Sequence, residues 1–348
     1  MEHPALAAHP LPEAPLRSEP MRAVLQGAYG SADVLRQGRL PVPTPGNGEV
    51  LVRVVAAGID RGTWHLLTGR PYLMRLLGFG FRRPKNPVPG LDLAGRVVAV
   101  GPEVTRWRVG DAVFGIGRGS FAEYAVASEE KLARAPDGIP LDEAAVLGVS
   151  GITALKALVD EGRLVAGERV LVIGASGGVG TYAVQLAKAL GAEVTAVCSG
   201  GKRELVLGLG VDRVLDYRTE DFADGSTRYD LVLDVGGNTP LSRLRRAMTE
   251  SGRLVFVGGE HGGDLTGGMG RPLGALLLGL FTKQRFVMLA ATEHTSYLER
   301  LGSFVEAGTV RPAIDRRIGL DDVADALRDL ESGRVRGKVL VRVANEGA

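Results

Sequence analysis

The chain has 348 residues and a mass of 36.6 kDa, about two domains' worth at roughly 150 residues each, which argues against a lone binding module. Apolar residues make up 45% and charged residues 24%, the mix of a folded globular protein and not of a disordered one. Forty-two Lys and Arg against 40 Asp and Glu leave a net charge of +2, too balanced for a nucleic-acid binder, and the single cysteine, Cys198, excludes an internal disulfide, a four-cysteine zinc lobe and a cysteine-held iron–sulfur cluster.

Residues 1–20 carry five prolines and no Lys or Arg before Arg17, so they lack the charged start and apolar block of a secretory signal and read as a flexible tail. From Met21 to about residue 145, short β-branched runs punctuated by Gly and Pro (MRAVLQG, EVLVRVVAAG, GRVVAVG, DAVFG, SFAEYAV) predict a compact β-rich domain. The rhythm then changes to apolar strands alternating with helical patterns, over residues 146–291. The strands are RVLVIG (169–174), EVTAVCS (193–199), DRVLDY (212–217), YDLVLDVGG (229–237), GRLVFVGG (252–259) and RFVMLA (285–290), the content of a doubly wound parallel sheet that binds a dinucleotide. Residues 258–270 (GGEHGGDLTGGMG) read as a mobile loop, and the apolar run Leu273–Phe281 is far short of the ~18 residues that a membrane span needs. The stretch 292–348, with a helix at 321–331 and the terminal strand KVLVRV, is expected to complete the front domain.

The strongest local signal is RVLVIGASGGVGTYAVQLAKAL, in which a strand ends at Gly174 and a helix opens near Gly178. Val179, Tyr182, Ala183, Leu186, Ala187 and Leu190 recur at helical spacing and form one apolar face. Strand, Gly-rich turn and helix together make a phosphate site. Gly174, Ser176, Gly177, Gly178, Val179 and Gly180 bring backbone N–H groups and the positive end of a helix to a pyrophosphate. The same residues satisfy the G-x-S-x-G elbow of hydrolases, with His261 or His294 as a base, but that reading leaves Gly180 and the following cations unexplained. About 20 residues past the last glycine, where NAD-binding domains place a carboxylate for the ribose, the chain reads Cys198-Ser199-Gly200-Gly201-Lys202-Arg203. Ser199 as a donor and Lys202 and Arg203 as charges predict a 2′-phosphate, hence NADPH.

At this point the chain resembles the zinc-independent members of the medium-chain dehydrogenase/reductase superfamily, in the quinone oxidoreductase-like branch. The resemblance runs from Met21 to Val343 on PVPTPGNGEVLVRVVAAGID (41–60), PVPGLDLAGRVVAVG (87–101), RVGDAVFG (108–115), GSFAEYAV (119–126), DEAAVLGVSGITALKAL (142–158), the GASGGVG loop and RGKVLVRV. It implies a GroES-like catalytic domain beside a Rossmann domain, NADPH between them, and a homodimer built on the RFVMLA edge. It also implies contacts of Ser199, Lys202 and Tyr217 with the 2′-phosphate. Thr153, Gly236 and Asn238 are placed near the nicotinamide, with Gly258 and Lys338 completing the cofactor set.

Zinc-dependent relatives carry a Cys after the AAGI stretch and a His-Glu pair further on; here those positions are Asp60 and Leu91-Asp92, and His65, His261 and His294 show no metal-binding spacing, so no metal is expected. Quinone reductases of the group carry Asn and Asp where this chain has Asp60 and Thr63, which the resemblance places among the catalytic contacts. Tyr72 is the expected proton donor, because enoyl-reductase relatives have a tyrosine just after the corresponding glycine. The sequence therefore predicts a cytoplasmic, NADPH-dependent reductase of an activated C=C bond or a quinone, without nucleic acid or membrane partners. A non-catalytic NADPH-binding sensor or lens-crystallin-like protein is the alternative.

Overall fold

The computed structural model describes residues 19–73, 75, 80–258, 270–289 and 293–344. The mobile loop expected at 258–270 falls almost wholly outside them, as does His261.

Fifteen strands are described. In the front part they are β1 (Met21–Gln26), β2 (Leu35–Leu40), β3 (Glu49–Ile59), β4 (Asp92–Val100), β5 (Ala112–Ile116), β6 (Tyr124–Ser128) and β7 (Leu132–Arg134). There follow β8 (Arg169–Ile173), β9 (Glu193–Cys198), β10 (Arg213–Asp216), β11 (Tyr229–Asp234), β12 (Met248–Phe256) and β13 (Arg285–Met288), and finally β14 (Ile314–Gly319) and β15 (Lys338–Arg342). Four helices matter most: α1 (Arg61–Thr68), α2 (Leu141–Ala144), α3 (Gly148–Lys156) and α4 (Gly178–Ala189).

Strands β8 to β13 form one six-stranded sheet in the order β10-β9-β8-β11-β12-β13, with every pairing parallel. Counted from β8 this is 3-2-1-4-5-6, the doubly wound dinucleotide-binding order. Helices cover both faces, so the central strands bury side chains on both sides: Val170, Leu171 and Val172 are fully buried, as are Leu231, Val232 and Leu233. The order reverses between β8 and β11. There the backbones meet: the N–H groups of Val235 and Gly236 both donate to Ile173 O, and a Cβ on Gly174 would stand 2.9 Å from Gly236 N.

The second sheet has the order β14-β15-β3-β4-β5-β7, with β6 on β3, and is mostly antiparallel. Its β14 and β15 come from the C-terminal stretch; Val339 pairs with Ile59, which sets Lys338 beside the end of β3. A separate β1–β2 ribbon completes the β-rich part. The fold is thus mixed α/β, a parallel nucleotide-binding sheet with a β-rich unit beside it. The two units touch at one place that matters for function: Gly337 N donates to Ser176 O at 2.8 Å, and Gly177 forms a parallel bridge with Gly337.

Helix α4 buries the apolar face read from its spacing, with Tyr182, Ala183, Leu186 and Ala187 fully enclosed. It also buries Thr181 and Gln185, which periodicity does not single out. The Gln185 amide donates to Thr181 O and Arg311 O and accepts from Arg311 N, so its polar atoms are satisfied inside.

Candidate active site

The phosphate loop is built as its glycines require. Gly174 takes φ +88°, a left-handed conformation that favours glycine, and turns the chain out of β8. A Cβ on Gly180 would strike Gly174 O and the Ala175 backbone, so this glycine closes the turn against the helix. Gly177 differs: it is extended, with φ −87° and ψ 177°, and the nearest atom to an added Cβ is Gly174 O at 3.6 Å. That leaves an open face over the N-terminus of α4. Gly178 stands against Ser150 Oγ and Lys338 Cδ, which a Cβ would meet at 3.0 and 3.1 Å.

Lys338 links this loop to the front sheet. Its ammonium is buried and lies 3.1 Å from both Asp92 Oδ2 and Ser150 Oγ. Asp92, also buried, uses Oδ1 to accept the Val149 N–H at 2.6 Å at the start of α3. Burial pushes the Asp92 carboxyl up to about 7, with Lys338 pulling down and the nearby Asp60 pushing up. Asp60 follows β3 and caps α1, Oδ1 accepting the Thr63 N–H at 2.7 Å. Burial raises its pKa as well, against the pull of Lys338. Among the described residues no well-formed hydrogen bond reaches the buried Asp60 Oδ2 and Thr63 Oγ1, although the Thr63 hydroxyl lies near the Asp60 carboxyl.

The residues expected to meet the 2′-phosphate lie past β9. Ser199 makes no side-chain cap bond. Lys202 donates to Gly333 O at 2.9 Å and Val335 O at 2.7 Å, and partial burial together with the nearby Arg336 lowers its pKa. Arg203 pairs with Glu220 at 3.3 Å, and Tyr217 is exposed, its ring 5.7 Å from the Arg218 guanidinium. Asp216 is close enough that a Cβ on Gly200 would meet its Oδ2 at 2.5 Å. Arg336 was missed from sequence because it lies 134 positions from Lys202 and reads locally as part of a turn before β15.

Of the residues expected near the nicotinamide, Gly258 N donates to Asp234 O, Gly236 is half-buried and Asn238 is exposed. Thr153 bonds back to Val149 O at 2.6 Å. The buried Asp234, at the end of β11, pairs with Arg271 at 2.6 Å and accepts the Gly237 N–H. Neither Asp234 nor Arg271 stood out in the sequence. Tyr72 is 39% exposed, and the Arg75 guanidinium lies between its ring, at 4.6 Å, and that of Tyr29, at 4.4 Å. Of the two bases of the hydrolase reading, His294 caps the helix Thr295–Glu306 through Ser296, and His261 lies outside the described residues. Among the described residues no group of three or more His, Cys, Asp or Glu is placed to hold a metal ion, and no helix is long and apolar enough to cross a membrane.

With this geometry in view, the comparisons decide the family. Residues 46–137 match the alcohol dehydrogenase GroES-like domain, and residues 209–341 match the zinc-binding dehydrogenase family. The chain is 34% identical over 339 residues to the chloroplast envelope quinone oxidoreductase homolog of Arabidopsis thaliana, covering 92% of this chain and 98% of the relative. It belongs to the medium-chain dehydrogenase/reductase superfamily, in its quinone oxidoreductase-like branch. The 2-methylene-furan-3-one reductase of Solanum lycopersicum is 33% identical, over 92% of this chain and 79% of that protein. The quinone oxidoreductase structure from Coxiella burnetii superposes with a TM-score of 0.82 at 26% identity, over 94% of this chain and all of that one. As a medium-chain dehydrogenase/reductase the chain is an oxidoreductase on a nucleotide-binding fold.

Proposed function

We propose that the protein is a zinc-independent, NADPH-dependent reductase of activated C=C bonds or quinones. The observation that carries this reading is the open face of Gly177 at the N-terminus of α4, together with Ser199 and the neighbouring cations Lys202 and Arg336 past β9, where the chain after β9 carries no carboxylate of its own although Asp216 of β10 stands beside Gly200. A second ribose phosphate needs cations and donors there. Relatives named as quinone oxidoreductases and as a furanone reductase support the substrate class.

Gly174, Gly177, Gly178, Val179 and Gly180 would hold the pyrophosphate, Ser199, Lys202, Arg203 and Tyr217 the 2′-phosphate, and Thr153, Gly236, Asn238 and Gly258 the nicotinamide end. Bound there, the nicotinamide supplies a hydride. The Lys338 ammonium, fixed by Asp92 and Ser150 behind Gly178, adds positive potential behind the phosphate loop. Zinc-independence rests on the donor set: Leu91 offers no ligand, and both oxygens of Asp92 are already engaged, by Lys338 and by the Val149 N–H. Polarising the substrate then falls to protein donors.

We place the nucleotide-binding unit at residues 146–291 and the catalytic unit at 21–145 with 292–348. A homodimer is supported by the open β13 edge beside exposed Leu276, Leu277, Leu280 and Phe281. A small-molecule substrate and a cytoplasmic setting complete the reading. NADPH consumption measured across quinones, enones and enoyl thioesters tests it: turnover with at least one class is expected, and intact NADPH binding with no turnover on any would favour the sensor alternative.

A further inference from the structure

The environment of Asp60 goes beyond capping a helix. A cap employs one carboxylate oxygen, and Oδ1 serves it through the Thr63 N–H. The other oxygen, Oδ2, is buried without a well-formed hydrogen bond, and the buried Thr63 hydroxyl turns only toward the Asp60 carboxyl itself. Among the described residues no third group completes the hydrogen bonding of this pair, which folded chains seldom leave so. The charges facing Asp60 come from three elements: Asp92 on β4, Lys338 on β15 and Glu293 just before the helix Thr295–Glu306. Glu293 is already paired with Lys131 at 2.8 Å. Lys338 bonds Asp92 and not Asp60. Two buried carboxyls thus face one ammonium, which favours the protonated form of the carboxyl that Lys338 does not bond. The place is also right, because the same Lys338 touches the open end of the phosphate helix at Gly178.

We propose that Asp60 is the acid of the reaction, its Oδ2–H delivering a proton to the substrate anion while the Thr63 hydroxyl donates to the substrate oxygen. This rests on the reductase reading. In an enone, hydride addition at the β-carbon sends the C=C electron pair toward the carbonyl oxygen as an enolate. The Oδ2–H bond of Asp60 then breaks, its proton forms the new C–H bond at the α-carbon, and the resulting carboxylate is reprotonated from water. A quinone needs no such donor, since its reduced oxygens take protons directly from solvent.

Asp60→Asn keeps an oxygen for the Thr63 N–H and removes only the acid. With NADPH saturating, kcat is measured against pH for an enone and for a quinone, in the wild type, Asp60→Asn and Tyr72→Phe. In parallel, the aspartate carboxyl carbons of the protein without nucleotide are titrated by carbon-13 NMR. Asp60→Asn is expected to lower the enone kcat by about a hundredfold or more, to abolish the fall of that rate at alkaline pH and to lower quinone turnover far less. It should also remove one carboxyl signal that titrates above the ordinary aspartate range. Tyr72→Phe compares the donor expected from sequence: an enone loss there as large as that of Asp60→Asn would overturn the assignment. An enone rate and pH profile unaltered in Asp60→Asn, an equal loss on both substrates, or no raised signal lost would overturn the assignment while leaving the reductase reading in place. A wild type inactive on every substrate class would sink both.

Discussion

Lys338 and Asp92 stand 246 positions apart in the chain, yet their charged atoms lie 3.1 Å from each other in the interior, at 1% and 0% side-chain exposure. The pair ties the last strand of the β-rich sheet to β4 and, through Ser150 and Gly178, to the phosphate helix. A buried pair of this kind adds little to net stability compared with an apolar pair, but removing one partner strands the other. Asp92→Asn keeps an acceptor for the Val149 N–H and leaves the Lys338 ammonium without its anion. Denaturant unfolding is expected to show a loss of about 3–5 kcal/mol; a loss under ~1 kcal/mol would mean that Asp60 takes over the charge.

The pH dependence of stability has a definite sign at this cluster. Both carboxyls are raised in the folded state, Asp92 from 3.8 to about 7, so the folded protein retains protons that the unfolded chain has lost. Their contribution therefore turns against folding as pH rises through the ordinary carboxylate range, and for Asp92 it stops worsening above about 7. Because Asp60 is one of the groups raising Asp92, Asp60→Asn should narrow this window as well as shrink it. Thermal melting across pH 4 to 9 checks this: the variant should gain on the wild type as pH rises. A constant difference between the two would contradict it.

The glycines of the phosphate loop separate fold from binding. Gly177 is extended and has room for a methyl group, so Gly177→Ala should leave melting of the nucleotide-free protein unchanged while weakening NADPH at least about tenfold, ~1.4 kcal/mol, by filling the open face. Gly180→Ala drives its Cβ into Gly174 O and should lower stability as well. Calorimetric melting paired with NADPH titration distinguishes the two. Equal behaviour would show that the loop adapts.

The edge at β13 supplies a further test. Leu280 and Phe281 are 76% and 85% exposed, more than a monomer's surface favours for side chains of this size. If they line a dimer contact, Phe281→Asp should shift the protein to a monomer in analytical ultracentrifugation with its secondary structure unchanged.

The sequence disclosed what is local. Six apolar runs marked the strands of the parallel sheet, and the GASGGVG turn marked the point where their order reverses. Strand limits followed tertiary pairing instead: the run read from residue 252 begins at Met248, because β12 already pairs there with Tyr229 of β11. Long-range polar contacts were the hidden part. Lys338 was expected among the cofactor contacts, and its hydrogen bonds to Asp92 and Ser150 are the part that no local pattern announced. Arg336 and the Asp234–Arg271 pair left no periodic trace, since partners that meet only in the folded chain have no fixed spacing. Asp60 stood out as a substitution within the family pattern, but its unpartnered oxygen belongs to three dimensions.

The most direct test of the whole account is isothermal titration of NADPH and NADH into the wild type and Lys202→Ala. Lys202 now donates to two carbonyls and would exchange them for the 2′-phosphate. The account expects NADPH to bind tighter than NADH to the wild type and to lose about 1.5–3 kcal/mol in the variant, roughly tenfold to a hundredfold, with NADH unchanged. Equal binding of the two nucleotides by the wild type, or an equal loss for both in the variant, would contradict it.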